Sequence, residues 1–309
     1  MLSIILPTFN EQDNINLFYK KLILEIKKIK LSSFEIIFVD DGSQDNTKEK
    51  IKAICKKNKK VKLISFTKNF GHQAAIYSGL KKSKGHAAIV MDADFQHPIE
   101  IIRKFYSIWK KDKIKVVHGV KKKNNSSLIR NFLSIVGYKI INLLSPNKLD
   151  QGGSDFYLLD RKVITEILKL NEPRLMFRML ISMLGFKKKI VFFDARKRFR
   201  GISGYSIKKL FNILRFSVIT SSNLPLRFIT LTGIIIFLFS VCLIVFEILS
   251  YFLVGNRPPG FPTLLILISF FGGLNLLCLG IIGEYTSHIV HDKLSNLSFI
   301  EEENINFDD

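Results

Sequence analysis

The sequence predicts an α/β protein, a mostly parallel sheet with helices on both faces, followed by an interfacial amphipathic helix and a two-helix transmembrane hairpin. Three observations predict it. Over the first 120 residues, short apolar and β-branched runs alternate with amphipathic stretches, as in consecutive βα units. Two of the runs end in acidic clusters, Asp40-Asp41-Gly42-Ser43 and Asp92-Ala93-Asp94, and ligands of open α/β sheets sit at such carboxyl ends. Nearer the C-terminus, 19 residues from Phe228 to Phe246 and 26 from Pro258 to Gly283 carry no charge, and crossing a hydrocarbon core takes about 20 apolar residues.

The elements follow in order. Leu2–Leu6 reads as the first strand and Phe34–Val39 as the second, with a helix from Glu11 to Ile29 between them. The next helix, Asp45 to Lys57, has Asp45-Asn46-Thr47 as its N-cap and Glu49 close behind. Val61–Phe66, a helix from Gly71 to Lys82, and His86–Met91 come next, punctuated by Gly71 and Gly85. Pro98 suits a first helical turn, and Lys115–Gly119 is the fifth strand. From Ser126 the pattern changes to helical stretches, Leu128–Leu144, Arg161–Leu170 and Leu175–Gly185, around two strands, Asp155–Leu159 and Lys189–Phe193.

In Ser206–Thr220, Ile207, Phe211, Leu214 and Val218 share one helical face and Lys208, Asn212 and Arg215 another, so this helix is expected to lie along a bilayer surface. The anchor is read as Phe228–Val254 and Phe261–Tyr285, joined by the helix-breaking Gly255-Asn256-Arg257-Pro258-Pro259-Gly260. The chain thus divides into a large domain (1–205), an interfacial helix (206–226), an anchor (227–290) and an acidic tail (291–309) whose Glu301-Glu302-Glu303 is expected to be mobile. No signal peptide is expected ahead of Met1-Leu2-Ser3, which starts a strand.

The formal charge of +21 is unevenly placed, with +26 on residues 1–226 and −5 on residues 227–309. A basic body beside an anchor points to anionic headgroups and anionic substrates. Nucleic acid is not an expected partner, because the lysine runs are scattered over many elements as solvated faces. The Lys and Arg flanking the anchor place the large domain and the tail in the cytoplasm, with Asn256–Pro259 outside. Cys55, Cys242 and Cys278 are too few and dispersed for a disulfide framework.

Carboxylates at strand ends can hold a metal and a nucleotide, or cap the helices that follow. Taken together, Leu6-Pro7-Thr8-Phe9-Asn10-Glu11, Val39-Asp40-Asp41-Gly42-Ser43-Gln44-Asp45-Asn46-Thr47 and Met91-Asp92-Ala93-Asp94-Phe95-Gln96-His97-Pro98 resemble the family 2 glycosyltransferases with a GT-A, Rossmann-like fold. Within that family the chain is similar to the polyprenyl-phosphate glycosyltransferases, the dolichol-phosphate mannosyltransferase type with two C-terminal transmembrane helices. The resemblance continues through Gly152-Gly153-Ser154-Asp155-Phe156, Arg198-Phe199-Arg200-Gly201-Ile202-Ser203-Gly204-Tyr205-Ser206 and Gly280-Ile281-Ile282-Gly283-Glu284-Tyr285.

The resemblance implies roles. Pro7, Asn10, Glu11 and Asp41 match nucleoside-binding positions, where a carboxylate accepts charge-assisted hydrogen bonds from ribose or base. Asp94 and Gln96 are the implied ligands of Mg²⁺ or Mn²⁺, which suits hard oxygen donors and neutralises a departing diphosphate; Asp92 stands at the nucleotide or behind the metal. His97, beside Pro98, is read as structural. Lys121, Lys122 and Lys123 follow the fifth strand where relatives often carry Arg, and Lys121 is taken as a phosphate contact. Arg198, Arg200, Ser203 and Tyr205 are positioned in sequence to grip acceptor or donor phosphate, although Gly204 stands where relatives often have Lys.

Asp155 is the implied catalytic carboxylate. A phosphate monoester has its second pKa near about 6 and is already largely ionised at neutral pH, so Asp155 is expected to orient sugar or acceptor rather than act as a strong base. The implied activity is metal-dependent, inverting transfer of a hexose from a UDP- or GDP-sugar to a polyprenyl phosphate at the cytoplasmic face of a bacterial inner membrane. Homo-oligomerisation is left open. Two alternatives stand beside this reading. A processive polysaccharide synthase would carry a Gln/Arg-x-x-Arg-Trp element, yet the only tryptophan is Trp109, in a Lys-rich helix. A basic membrane-tethered binding module would not need metal-bearing carboxylates at strand ends.

Overall fold

The computed structural model describes residues 1–31, 33–122, 153–171, 177–194 and 299–307, with scattered positions between 231 and 286. The chain divides into two compact units. The first comprises Met1–Leu143, Asn147–Ile207 and Leu297–Asp309, the second Leu144–Pro146 and Lys208–Asn296.

Among the described residues the first unit is built on an eight-stranded sheet. Its first four strands and helices are β1 (Leu2–Thr8), α1 (Ile15–Ile29), β2 (Phe34–Asp40), α2 (Thr47–Lys57), β3 (Val61–Phe66), α3 (His72–Lys82), β4 (Ala87–Val90) and α4 (Ile101–Asp112). β5 (Val116–Lys121), β6 (Gly153–Asp160), α5 (Arg161–Leu170), α6 (Phe177–Met183), β7 (Lys188–Phe193) and β8 (Glu301–Ile305) complete it. The strand order is β7-β5-β6-β4-β1-β2-β3-β8. β1 pairs in parallel with β2 and β4, β2 with β3, and β5 with β7. β6 runs antiparallel to β4 and β5, and β8 antiparallel to β3.

Alternation along the strands supplies a core on each face. Ile4, Leu6, Ile36, Phe38 and Leu63 pack with Phe18, Leu22 and Ile26 of α1, Ile51 of α2 and Phe105 of α4. Ile5, Ile37, Val39 and Ile64 point the other way, onto Ile76 and Leu80 of α3 and Ile164 and Ile167 of α5. Buried on both faces, the central strands read as near-continuous apolar runs. At the start of β2, Glu35 is buried against Lys62 Nζ at 2.8 Å and also accepts from Ser3 Oγ and the Lys84 backbone N–H.

The first helix starts at Ile15 rather than Glu11, because residues 10–12 form a loop that interlocks with residues 43–47. The Asn10 N–H donates to Ser43 Oγ, the Gln44 N–H to Asn10 Oδ1, the Glu11 N–H to Thr47 Oγ1 and the Asn46 N–H to Gln12 Oε1. Gly42 fits this turn for a steric reason. Its φ is +69°, and a Cβ there would lie 2.4 Å from the Lys68 carbonyl carbon.

The tail is not mobile at Glu301-Glu302-Glu303. Those residues begin β8, which covers the β3 edge and so removes an unpaired row of backbone donors and acceptors. The polar sequence is held by charge: Lys48 pairs with Glu302 at 2.7 Å, Lys52 with Glu303 at 2.6 Å and Lys82 with Glu301 at 3.5 Å. Phe299 stacks on Phe66 just before it, and Asn306 just after it donates to the carbonyls of Cys55 and Val61.

In the second unit the described positions are helical apart from Gly260, and Leu231, Leu238, Phe270 and Leu279 are exposed. Among the described residues no helix is long and apolar enough to cross a membrane; the expected spans are described only in part, and Leu128–Leu144 and the expected interfacial helix lie outside the described residues.

Candidate active site

β1, β2, β4 and β5 all end on one edge of the sheet, and the antiparallel direction of β6 brings its beginning to that same edge. Val90 pairs with Tyr157. Asp92 follows the end of β4 by two residues and Asp155 precedes Tyr157 by two, and both carboxylates lie within 4 Å of His72 Nε2, at 3.5 and 3.7 Å.

The loop after β4 is shaped by a left-handed residue. Phe95 has φ +66° and packs its ring edge-on against Phe18, a conformation costly for a bulky side chain. On either side, buried Asp94 accepts the Gln96 N–H at 2.9 Å, and Gln96 Oε1 accepts from Lys121 Nζ at 3.4 Å. Lys121 ends β5. His97 is buried as expected of a structural residue: its Nδ1 accepts the Asp92 N–H at 3.0 Å and its ring stacks on Phe156. Burial pushes its pKa down, in keeping with that acceptor role.

Asp155 is half-buried and is surrounded by three polar side chains. Gln73 Nε2 donates to Oδ2 at 3.1 Å, Arg178 Nε lies 3.5 Å from Oδ1, and His72 Nε2 lies 3.7 Å from Oδ2. Burial acts to raise its pKa, but Arg178, His72 and the Gln73 amide outweigh burial and hold the carboxyl below its ordinary value. His72 Nε2 is also 3.5 Å from Asp92 Oδ1 and so stands between the two carboxylates. Arg178 is fixed by donating from Nη1 to the Gly153 carbonyl.

The expected nucleoside positions gather around the first two strand ends. Pro7 pairs with Val39 beyond the last β1–β4 pair, at Ile5, so its missing N–H breaks no bond to β4. Asn10 and Glu11 lie in the interlocked loop, where Glu11 Oε2 accepts from Asn14. Asp41 ties β2 to the start of α3, accepting the Phe70 N–H at 2.7 Å and the Gly71 N–H at 3.0 Å. Burial raises its pKa despite those donors. Arg198, Arg200, Ser203 and Tyr205 lie outside the described residues, as does Lys123; Lys122 points to Asp194 instead.

Sequence reasoning missed His72, Gln73 and Arg178. The first two begin the helix after β3, at the same sheet edge that drew attention to the other strand ends. Arg178 is a lone charge inside the apolar run Met176-Phe177-Arg178-Met179-Leu180, a pattern that asks for a buried partner.

The oxygen donors Asp92, Asp94 and Gln96 suit a hard divalent cation. Among the described residues, no group of three or more His, Cys, Asp or Glu side chains forms a closed cage. Mg²⁺ is commonly held by one or two carboxylates together with substrate phosphates, so the donor set fits an ion completed by a diphosphate.

A doubly covered sheet with acidic loops and basic side chains gathered at its carboxyl edge is the ligand-bearing arrangement of an open α/β fold. The glycosyl transferase family 2 profile matches residues 3–168, and the chain belongs to that family: it is a glycosyltransferase with a GT-A-like mixed sheet. A putative glycosyltransferase of Bacillus subtilis (strain 168), CsbB, is 37% identical over 99% of this chain and 92% of its own length. A bactoprenol glucosyl transferase of Shigella phage SfX is 31% identical over 97% of this chain and 98% of its own. Among solved structures, a glucosyl-3-phosphoglycerate synthase of Mycobacterium tuberculosis in complex with Mn²⁺, UDP-glucose and phosphoglyceric acid aligns at 16% identity and TM-score 0.48, over 71% of this chain and 78% of that one.

Proposed function

We propose that this glycosyltransferase moves one hexose from a UDP- or GDP-sugar to a polyprenyl phosphate, with inversion, at the cytoplasmic face of a bacterial inner membrane. The observation that carries the reading is the full-length similarity to a protein named for glucosyl transfer to bactoprenol, a polyprenol. The site supports it: His72 stands between Asp92 and Asp155, Arg178 lies against Asp155, and Lys121 meets Gln96 in the same acidic loop.

In this reading Asp94 and Gln96 hold Mg²⁺ or Mn²⁺, which would neutralise charge on the departing nucleoside diphosphate. Lys121 steadies a phosphate. Pro7, Asn10, Glu11 and Asp41 shape the nucleoside pocket, with the Asp41 carboxylate setting the α3 end of it, and Asp92 meets the nucleotide. Asp155, ionised and clamped, orients the sugar or the acceptor and stabilises positive charge developing at the anomeric carbon. The acceptor phosphate brings its own negative oxygen, so no strong base is required. Arg198, Arg200, Ser203 and Tyr205 would grip phosphate near the bilayer.

Membrane attachment through a helical hairpin within 227–290 is part of the same proposal. Asn147–Ile207 and Leu297–Asp309 belong to one folded unit, so any crossing between them must be matched by a return. An even number of spans, with both flanks on one side, agrees with the positive-inside reading. The test is to incubate membranes carrying the protein with a panel of labelled UDP- and GDP-sugars and extract the lipid. One donor should label a polyprenyl-phosphate-linked product. Labelled polysaccharide in place of a single-sugar lipid would favour a processive synthase, and no label from any donor would count against transfer.

A further inference from the structure

Gln73 lies between two groups that leave its amide no choice of orientation. The Phe177 N–H can only donate, and Gln73 Oε1 accepts from it at 2.7 Å. The amide nitrogen must then face Asp155, where Nε2 donates to Oδ2 at 3.1 Å. An ionised carboxylate oxygen accepts that bond more strongly than a protonated one, so the bond favours the charged form. The side chain is therefore a strut from the first turn of α3 to the first residue of α6, with the donor end of its amide on the Asp155 carboxylate at the start of β6.

We propose that Gln73 is a positioning residue for glycosyl transfer, holding the Asp155 carboxylate ionised and in a single rotamer through the donor end of an amide whose other end is locked by α6. The proposal rests on the role given to Asp155 in the proposed function. Arg178 from α6 and His72 from α3 also face Asp155, and buried His97 lies nearby in the loop after β4. Gln73 differs from them in carrying no charge. It contributes direction and a proton donor without altering the net charge of the site.

Gln73→Glu tests this on the full-length protein, assayed with UDP- and GDP-sugars and undecaprenyl phosphate beside the wild type. The variant keeps the acceptor for Phe177 but turns a second carboxylate toward Asp155, and two such groups share a proton. We expect kcat to fall about 10- to 100-fold with donor KM changed less than about twofold. The acidic limb of the kcat profile should move up by about one pH unit or more. Gln73→Met, which fills similar volume without either bond, should move the limb the same way by less, and serves if the Glu variant does not fold. A fall in kcat with the limb unmoved would make Gln73 a merely structural brace and overturn the proposal. Raised KM with unchanged kcat would overturn it too. If the wild type transfers no sugar, the proposed function fails; if it transfers and the variants match it, only the role of Gln73 fails.

Discussion

His97 Nδ1 accepts the backbone N–H of Asp92 at 3.0 Å while its ring stacks on Phe156 with centroids 4.8 Å apart. One buried side chain thereby fixes the acidic loop to β6, the strand that carries Asp155. The two halves of that interaction can be separated. His97→Asn keeps an acceptor near the Nδ1 position and should retain transfer within about tenfold, losing mainly stability. His97→Phe keeps the stack but strands the Asp92 N–H, a loss of about 1–3 kcal/mol, and should lower kcat/KM by about 10- to 100-fold. Steady-state kinetics and melting curves on both variants check this ordering.

Glu35 gives an acid-side stability prediction. Burial raises its pKa, but Lys62, Ser3 and the Lys84 N–H together outweigh burial and hold it below the ordinary 4.5. A depressed folded value means that its stabilisation is complete above the ordinary value and is lost as pH falls through the folded one. Glu35→Gln should flatten the loss of thermal stability below about pH 4.5. Glu35→Ala should cost about 3 kcal/mol or more at pH 7 by leaving Lys62 buried without its partner. Melting of the purified protein across pH 3 to 7 measures both.

Cys55 reports on the C-terminal strand. Its thiol is buried and its pKa is pushed up to about 12, while Asn306 donates to its carbonyl. In a Cys242→Ser, Cys278→Ser background, deleting residues 299–309 should uncover the β3 edge and speed thiol labelling of Cys55 about tenfold or more through local opening. Unchanged labelling would show that β8 contributes nothing to the stability of that edge. A truncation after Thr220 also removes β8, so loss of activity in it would not by itself reveal the need for an anchor.

The parallel half of the fold was legible because each βα unit announces itself locally. Val61–Phe66 and Arg161–Leu170 carry their own periodicity and flanking signals, and both have the expected bounds. β8 carries no such signal. Three consecutive glutamates read as a solvated tail until their lysine partners are known, and Lys48 lies 254 residues before Glu302. The site divides in the same way. Asp92, Asp94 and Gln96 lie in one short loop and were visible together, whereas Gln73, Asp155 and Arg178 meet only once α3, β6 and α6 are assembled.

Asp155→Asn separates binding from turnover. If the clamped carboxylate acts on the transition state, kcat should drop about 100-fold or more while donor KM moves little. Raised KM with unchanged kcat would place Asp155 among the donor-binding residues.

Metal-assisted transfer of sugar to lipid phosphate is measured most directly as label appearing in the organic phase. Purified full-length protein in vesicles containing undecaprenyl phosphate is supplied with its labelled nucleotide sugar, with Mg²⁺ or Mn²⁺ present or chelated, beside Asp94→Asn. We expect lipid-linked label that requires the divalent ion, and a variant that is folded but nearly inactive because a ligand charge is lost at a strand end. Equal lipid labelling by Asp94→Asn, or by the wild type with the metal chelated, would contradict this.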